Sequence, residues 1–581
     1  MSGNSNSNSA SLTGFIAGAI TLLVAWAAAY LTIAAAPIPR IPENHARAGV
    51  LLYPLYALNP PGALFVAEKI TPWNYSFHPQ IQPYTRTRAY IAWTPAFLAG
   101  GATLWFLGIS GTPRTSRDGR FLRGRRLFRG AEARRKFARE MKNACRRDGE
   151  GLRVIDAAAF SLEHECRHGF AIGGTGSGKT AYLQRLIEAA RARGDRLLVH
   201  DVKADFTEKL PGPFLLLAPH DRRSAVWDIA IDVQSEADAI ELAGFLIQEG
   251  KDPFWSQAAQ ALFIGWTLSL MRERGRDWGW PELAEMSEKT RDELKSVMEK
   301  HYPSALTYVA EDNAMTASVL ASLKAPLQFV RQLGQAWPRD DGRPLFNFRE
   351  WLTTDVENRR LVIFQSAPNF TKLSASWINA AVQIAASIAL SPALPDNPRN
   401  APLEMQRRIW FVLDELPALR KLPSVESVIA LGRSKGLRVF AATQTWEQLT
   451  EIYGINTADA WMSMTAVLIA LYSKGKSATK LSEIFGDAEF EVIRKSQTQS
   501  SDKRISSNYS PQLEKRRVLL ATDFEKLGKT KISTGEDGIV GYALINGDAF
   551  EIEYSFLPEN RYRPALMPAA WTYELSKKEG A

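Results

Sequence analysis

The sequence predicts an α/β protein built on a parallel sheet, with an inserted all-α domain, preceded by two transmembrane helices. Three observations predict this fold class: a glycine-rich loop between a short strand and an amphipathic helix, further apolar strands that each lie next to a helical pattern, and two uncharged apolar runs near the amino terminus. Strands that alternate with helices are typical of parallel sheets. A length of 581 residues predicts several modules rather than one domain.

The two apolar runs span residues 14–36 and 89–109, and neither contains a charged residue. Each is long enough to cross a ~30 Å hydrocarbon core as a helix. We therefore predict a cytoplasmic tail over 1–13 and a membrane anchor over 14–110, with an outer loop over 37–88. A cleaved signal peptide is the alternative for the first run, because three alanines at 34–36 resemble a cleavage site. The absence of Lys and Arg before this run favours a membrane-spanning helix instead.

The positive charge of the chain is concentrated directly after the second apolar run. Residues 111–147 contain fourteen Lys or Arg and three acidic residues, a surplus of eleven, so the net charge of +9 leaves about −2 for the rest. Positive charge next to a membrane-spanning helix stays on the cytoplasmic side, which predicts that both termini are cytoplasmic. This basic juxtamembrane segment, residues 111–150, could additionally contact anionic lipid or nucleic acid.

A phosphate-binding loop follows at residues 173–180, between a predicted strand at 170–172 and an amphipathic helix from 181. Strand, glycine-rich turn and helix in this order are what a P-loop requires. Backbone N–H groups and the helix amino terminus would surround the β-phosphate of ATP, while the lysine reaches the β- and γ-phosphates and the threonine hydroxyl binds Mg²⁺. The loop residues are Gly173, Gly174, Thr175, Gly176, Ser177, Gly178, Lys179 and Thr180.

A second apolar strand, at 409–413, ends in two adjacent carboxylates, Asp414 and Glu415. Ligands of a parallel sheet lie at the carboxyl ends of its strands. Asp414 is therefore predicted in the magnesium shell, and Glu415 is predicted to polarise the attacking water. The pair favours hydrolysis over storage of a nucleotide.

Further apolar strands are predicted at 197–199, 361–364, 437–442 and 466–471. The strand at 437–442 leads to Gln444, which we predict to sense the γ-phosphate beside Asp414; a surface glutamine that caps a turn is the alternative. Asp201 and Asp205, after the strand at 197–199, could contact Mg²⁺ through water or be ordinary loop residues.

The remaining chain divides by pattern. Residues 233–351 carry apolar side chains three and four apart, which predicts an all-α insertion domain. The nucleotide-binding domain then comprises 151–232 and 352–563, and a tail follows over 564–581. Residues 496–511 are polar and lack periodicity, which predicts a mobile loop, whereas Asn-Gly at 546–547 predicts a hairpin turn. Two cysteines do not suggest a disulfide framework, and a His-Glu-Cys-Arg-His cluster at 164–168 lacks a second group of metal ligands.

These features together resemble the coupling proteins of conjugative type IV secretion, the TraD/TrwB type. The most specific similarity is the stretch 413–423, LDELPALRKLP, which continues through GRSKG at 432–436, Gln444 and IYG at 452–454. Residues 225–229 and 252–255 also resemble the TraD branch. The likeness covers most of the chain and implies a RecA-like P-loop NTPase core.

The resemblance implies a hexameric ATPase of the bacterial inner membrane that binds ATP and Mg²⁺ and receives a relaxase bound to single-stranded DNA at a secretion channel. By position, Arg433 matches an arginine that reaches the nucleotide of a neighbouring subunit, and Arg167 matches a second nucleotide-contacting arginine. Two other classes stay open at this point. One is a membrane DNA translocase of the FtsK/HerA type, and the other is a membrane receptor that binds nucleotide only to recruit secretion substrates.

Overall fold

The computed structural model describes residues 119–250, 252–354, 359–398, 405–499 and 505–572. The predicted transmembrane helices and their outer loop lie outside these residues. Within the described part of the chain, one helix, Pro368–Leu390, is long and apolar enough to cross a membrane, but 83% of its apolar window is buried inside the protein. This helix therefore belongs to the core of the folded domain.

The chain divides into two units. The first contains Met1–Arg120 and Val492–Gln512, of which the structure describes only the end of one strand and parts of two others. The second contains Phe121–Glu491 and Leu513–Ala581 and holds the whole candidate site. Residues from Phe121 onward are thus folded together with the residues assigned to the nucleotide-binding domain, so much of the basic segment is not a separate connector.

Sixteen strands lie within the described residues: β1 (Arg120–Gly124), β2 (Leu127–Phe128), β3 (Gly169–Ile172), β4 (Arg196–Asp201), β5 (Leu215–Leu217), β6 (Val226–Trp227), β7 (Leu345–Phe346), β8 (Leu361–Gln365), β9 (Ile409–Leu413), β10 (Leu437–Thr443), β11 (Val467–Ala470), β12 (Asp487–Gln499), β13 (Ile505–Arg517), β14 (Gly528–Lys531), β15 (Asp537–Ile545) and β16 (Asp548–Ser555).

The described residues also form seventeen α-helices: α1 (Gly130–Asp148), α2 (Leu162–Cys166), α3 (Lys179–Ala192), α4 (Asp205–Lys209), α5 (Ile229–Asp232), α6 (Glu236–Leu246), α7 (Pro253–Arg274), α8 (Trp280–Ala284), α9 (Arg291–His301), α10 (Ala314–Ala336), α11 (Phe348–Thr353), α12 (Thr371–Leu390), α13 (Pro423–Leu431), α14 (Trp446–Tyr453), α15 (Ile455–Met464), α16 (Gly475–Phe485) and α17 (Ala521–Glu525).

Eleven strands form the main sheet, in the order β2-β16-β15-β11-β3-β10-β9-β4-β8-β5, with β14 paired to β15. The seven strands from β11 to β5 are parallel, whereas β15 is antiparallel to both β11 and β16. The predicted parallel core is therefore confirmed and is extended by antiparallel strands from the carboxyl-terminal part of the chain. Asn546 and Gly547 make the predicted turn between β15 and β16 with φ of 53° and 86°.

Both faces of the sheet are covered, because successive side chains of a strand point to opposite faces. Phe411 and Leu413 of β9 join one hydrophobic core with α12 and the helices α6–α10, while Trp410 and Val412 join a second core with α1 and α3. A strand that is buried on both faces has a continuous apolar sequence, which is why β9 could be predicted from the sequence.

The segment assigned to an all-α insertion carries helices α6–α10, but it also contributes β7, which pairs with β6. Its aromatic side chains continue the core of the sheet: the rings of Trp337 and Trp377 lie 5.4 Å apart, and those of Trp227 and Trp280 lie 5.2 Å apart. The helical segment is therefore packed on the sheet through a shared core.

The prediction of a mobile loop at 496–511 is wrong, because β12 and β13 occupy most of that stretch. Backbone pairing between strands does not require an alternating apolar face, so a polar sequence without periodicity can still form strands.

Candidate nucleotide-binding site

Three adjacent strands bring the predicted site residues to one edge of the sheet. Thr443 of β10 is level with Ile172 of β3, and Leu413 of β9 is level with Ala441 of β10. Because the strands are parallel, the loops that follow them leave at the same edge. The P-loop, Gln444 and Asp414 are consequently neighbours, although they are far apart in sequence.

The P-loop adopts a backbone conformation that depends on its glycines. Gly176 and Gly178 have φ of 75° and 101°, in the region that side chains with a Cβ avoid. A Cβ at Gly178 would lie 2.6 Å from Ile539, and one at Gly173 would lie 2.6 Å from the Ser177 hydroxyl. The loop therefore bends tightly against β15 just before the amino terminus of α3, where anions bind favourably.

The ammonium group of Lys179 is buried at the start of α3. Its Nζ donates to the carbonyl oxygens of Gly173 at 2.5 Å and Gly174 at 3.2 Å. Burial lowers the pKa of Lys179, while the Asp414 and Glu415 carboxylates oppose that shift. A buried cation held by backbone carbonyls and facing acidic groups is well placed to exchange these contacts for phosphate oxygens.

The Glu415 side chain is buried, whereas Asp414 keeps part of its surface exposed. Burial raises the pKa of Asp414 to about 7; Lys179 counteracts this rise, whereas the nearby carboxyl groups of Asp201 and Glu415 add to it. Burial also raises the pKa of Glu415. Glu415 has a φ of 58°, which is unusual for a residue other than glycine and is found at functional sites.

Gln444 connects the P-loop to Glu415. The Thr175 hydroxyl donates to Gln444 Oε1 at 3.1 Å, and the Gln444 backbone N–H donates to Glu415 Oε1 at 3.4 Å. Gln444 thus lies between the phosphate-binding loop and the acidic pair, rather than on a separate surface turn.

A cavity of about 250 Å³ opens at this edge of the sheet. It is lined by Gly174 through Ala181 and by Asp414, Glu415 and Gln444. The donor set fits a magnesium nucleotide: the Ser177 hydroxyl is buried without a hydrogen-bond partner within the described residues, and the Asp414 carboxylate and the Thr180 hydroxyl are oxygen ligands of the type Mg²⁺ prefers.

Several residues that line the cavity were not predicted from the sequence. Lys203, from the turn after β4, faces Lys179 and the acidic pair. Lys529, Phe556, Leu557 and Glu559 come from the carboxyl-terminal strands and the residues that follow. No spacing rule links these residues to a P-loop more than three hundred positions earlier, and only the antiparallel extension of the sheet brings them together.

Arg167 and Arg433 are not brought to this cavity. Arg167 precedes β3, and its carbonyl accepts from Ala466 N–H just before β11, whereas Arg433 precedes β10 and pairs with Glu163 at 2.7 Å. Both arginines thus lie at the amino-terminal ends of the strands. The length of β3, about 13 Å for four residues, separates Arg167 from the P-loop of the same chain.

Two weaker candidates have structural partners. The Asp201 carboxylate accepts from the backbone N–H and the hydroxyl of Thr207, at 2.7 and 2.8 Å, so it holds the start of α4. His164 contacts Ser161 and Asn546, and His168 receives the Val439 N–H at 3.0 Å. Within the described residues no group of three or more potential metal-ligating side chains occurs.

Comparison with known proteins places these observations in a family. The model of the type IV secretion-system coupling protein DNA-binding domain matches residues 153–534. Coupling protein TraD of Escherichia coli K12 is 26% identical over 307 residues, which cover 51% of this chain and 40% of TraD. The chain thus spans less than half the length of that relative.

Solved structures of plasmid coupling protein TrwB have the same fold. The unbound form, TrwBdeltaN70, aligns with a TM-score of 0.63 at 23% identity and covers 78% of this chain and 97% of its own. TrwB in complex with ADP and Mg²⁺ aligns with a TM-score of 0.60 at 23% identity, over 78% and 98% of the two chains. The RecA-like P-loop NTPase fold predicted from the sequence is confirmed by this likeness.

Proposed function

Because this chain belongs to the family of type IV secretion-system coupling proteins, we propose that it is an inner-membrane ATPase that couples a relaxase–DNA complex to a secretion channel. ATP hydrolysis then drives transfer of single-stranded DNA during conjugation. The observation that carries this proposal is the convergence of Lys179, Asp414, Glu415 and Gln444 on one cavity at the carboxyl edge of the parallel sheet.

Each residue at the cavity has a role that follows from its chemistry. The N–H groups of the P-loop and the Lys179 ammonium bind the β- and γ-phosphates of ATP, while Thr180 and Asp414 hold Mg²⁺. An ion held by these two residues would supply positive charge that offsets the charge of the transferring phosphoryl group. Burial raises the pKa of Glu415. In its ionised form, Glu415 accepts a proton from the attacking water.

Gln444 reports the state of the γ-phosphate, because it contacts both the P-loop and Glu415. Loss of that phosphate changes the surroundings of Thr175. The change reaches Glu415 through the side chain and the backbone N–H of Gln444. This short connection is a physical route from hydrolysis to movement of the loop after β10.

The assembly is proposed as a homohexamer in the inner membrane, anchored through residues 14–36 and 89–109. Arg433 acts on the nucleotide of a neighbouring subunit, and Arg167 is a second arginine that contacts nucleotide. Their position at the amino-terminal ends of the strands supports this arrangement, since neither arginine lines the cavity of its own chain. Such an arginine stabilises transition-state charge and contributes ~10³–10⁵ in rate in well-studied cases.

The direct test is ATP hydrolysis by the full-length protein and by Lys179→Ala. We expect the substitution to abolish turnover, because it removes the only lysine within the P-loop, and to leave membrane insertion intact. Lys474→Ala, an exposed lysine that contacts the Tyr472 ring at 5.6 Å, is the matched control and should hydrolyse ATP normally. Unchanged turnover in Lys179→Ala would contradict the site assignment.

A further inference from the structure

We propose that Phe556, with Leu557 beside it, is the platform on which the nucleobase stacks in this site. The proposal rests on the nucleotide site described above and deepens it, because it assigns the half of the cavity that the P-loop does not explain. The ligand class is a purine nucleotide, recognised through the face of its base.

The cavity is chemically asymmetric. Its phosphate end is polar and surrounds Lys179, Asp414 and Glu415, whereas Phe556 is the only aromatic side chain that lines it within the described residues. Gln184 also lines the cavity and lies five residues after Lys179, which is about 7.5 Å along α3. The cavity therefore extends beyond the phosphate end along α3, which leaves room for a nucleoside next to Phe556.

The backbone directly before Phe556 is anchored to the P-loop helix. Arg185 of α3 donates to the carbonyl oxygen of Ser555 at 3.1 Å and to its hydroxyl at 3.0 Å. The Ser555 N–H donates to Asp156 at 3.1 Å, and Asp156 is paired with the same arginine. Two residues from different parts of the chain thus fix the position from which Phe556 projects.

The strand that delivers Phe556 is also seated on the P-loop. The Tyr554 hydroxyl donates to the carbonyl oxygen of Gly178 at 3.2 Å, and the Tyr182 and Tyr554 rings lie 5.6 Å apart. Tyr554 is buried, whereas Phe556 packs only partly against the same core. The platform is therefore held at a fixed distance from the phosphates while part of its ring stays accessible to a ligand.

Lys529 marks the accessible face of the ring. Its Nζ lies 5.3 Å from the Phe556 centroid, and the side chain itself is exposed on β14. A flexible cation on an aromatic face is readily displaced by a base, since a base stacks over a larger area. The displaced ammonium then remains close enough to the cavity to contact a phosphate.

Stacking recognises the area of a base rather than its hydrogen-bonding edge. Purines, which have two rings, are therefore expected to bind better than pyrimidines, and the preference should disappear together with the ring of Phe556. Inorganic tripolyphosphate carries the phosphates without a base, so it reports on the P-loop alone.

The test measures the affinity of the full-length protein for MgATP, MgCTP and magnesium tripolyphosphate by calorimetry. We expect the wild-type protein to bind ATP more tightly than tripolyphosphate. Phe556→Ala should weaken ATP binding about tenfold, the order that loss of one base–aromatic stack produces, and leave tripolyphosphate binding unchanged. Phe556→Trp should retain the preference for ATP, and Tyr562→Ala, an exposed aromatic of the same segment, should behave as wild type.

The outcomes separate this proposal from the function on which it rests. Equal losses for ATP and tripolyphosphate in Phe556→Ala would assign the ring a structural role and overturn the platform. Unchanged ATP binding in that variant, or a wild-type protein that binds both ligands equally, would also overturn it while leaving the phosphate site intact. Failure of the wild-type protein to bind either ligand would contradict the nucleotide site itself.

Discussion

At the scale of single residues, the raised pKa of Asp414 predicts that nucleotide binding depends on pH. Burial raises the pKa of Asp414 to about 7, so its neutral form is populated below that pH. Mg²⁺ binds only the ionised carboxylate, and metal binding must then release a proton. The affinity for a magnesium nucleotide should consequently rise as the pH rises through 7 and level off above it.

We predict that binding of MgADP strengthens about tenfold from pH 6 to pH 8, the change in the ionised fraction of a group with a pKa near 7. Asp414→Asn removes this titration, so its weaker binding should show only the pH dependence of the nucleotide itself. Calorimetry at several pH values measures both proteins. Parallel pH profiles would show that Asp414 is not the titrating ligand.

Two glycines of the P-loop form a matched pair for a second prediction. Gly178→Ala places a Cβ 2.6 Å from Ile539, whereas Gly176→Ala meets nothing within 4 Å. Both positions have positive φ, which costs about 1–2 kcal/mol for a residue with a Cβ. Gly178→Ala adds a steric clash, which typically costs a further ~1–3 kcal/mol.

The thermal midpoint of the nucleotide-free protein should therefore fall much more for Gly178→Ala than for Gly176→Ala. A scan of both variants beside the wild-type protein checks this order. Equal midpoints would show that the contact between the P-loop and β15 does not constrain the loop.

At this scale the sequence predicted residues whose spacing follows from local chemistry. The P-loop, Asp414, Glu415 and Gln444 each follow an apolar strand, and all line one cavity. Phe556 and Lys529 were not predictable, because a lone aromatic and a lone lysine carry no motif. Arg167 and Arg433 were named through family resemblance, and their roles remain predictions that depend on a second subunit.

At the scale of secondary-structure elements, one buried carboxylate joins α3, β4 and β9 at the edge opposite the nucleotide cavity. Asp195 is fully buried and accepts from Arg193, from Arg408 Nε at 2.7 Å and from the Trp410 indole at 2.8 Å. Asp195→Ala removes the one carboxylate that these three side chains share and breaks a buried network of charge-assisted hydrogen bonds.

Asp195→Ala should therefore lower the free energy of unfolding by about 3–5 kcal/mol. Asp277→Ala, whose carboxylate pairs with Arg339 but is 98% exposed, is the control and should change it by less than about 1 kcal/mol. Denaturant unfolding followed by fluorescence compares the two. A small effect of Asp195→Ala would mean that the remaining contacts, such as the pair of Arg193 with Glu165, compensate for the lost carboxylate.

Strands were predicted accurately from the sequence where both of their faces are buried. Strands β3, β8, β9 and β10 read as apolar runs because both of their faces are covered, and their predicted bounds differ from the observed ones by a residue or so. The prediction failed at 496–511, because this stretch is polar and lacks periodicity, although parts of it belong to the paired strands β12 and β13. The prediction of an all-α domain at 233–351 was incomplete, because β7 is too short to produce a recognisable strand pattern.

At the scale of the whole molecule, the proposed ring makes a prediction about mixed subunits. Lys179→Ala subunits keep Arg433, and Arg433→Ala subunits keep the P-loop. If the arginine acts across an interface, random mixed hexamers should regain about a quarter of wild-type ATPase activity at equal proportions, because one interface in four combines the two intact halves.

ATPase assays of the mixture, and of each variant alone, measure this recovery. Arg420→Ala subunits, in which the removed arginine side chain contacts Gln248 within the same chain, serve as a control that should be active without mixing. Mixed assemblies no more active than the separate variants would contradict a shared site.

The central claim is that hydrolysis at this site is coupled to DNA. Its most direct test is the ATPase rate of the full-length protein with and without single-stranded DNA, at several protein concentrations, beside Glu415→Gln. We expect DNA to stimulate the wild-type rate, and more strongly at concentrations that favour assembly, while Glu415→Gln binds MgATP but stays inactive with DNA present. A wild-type rate that DNA leaves unchanged at every concentration would contradict the coupling and favour a receptor that uses nucleotide only to recruit secretion substrates.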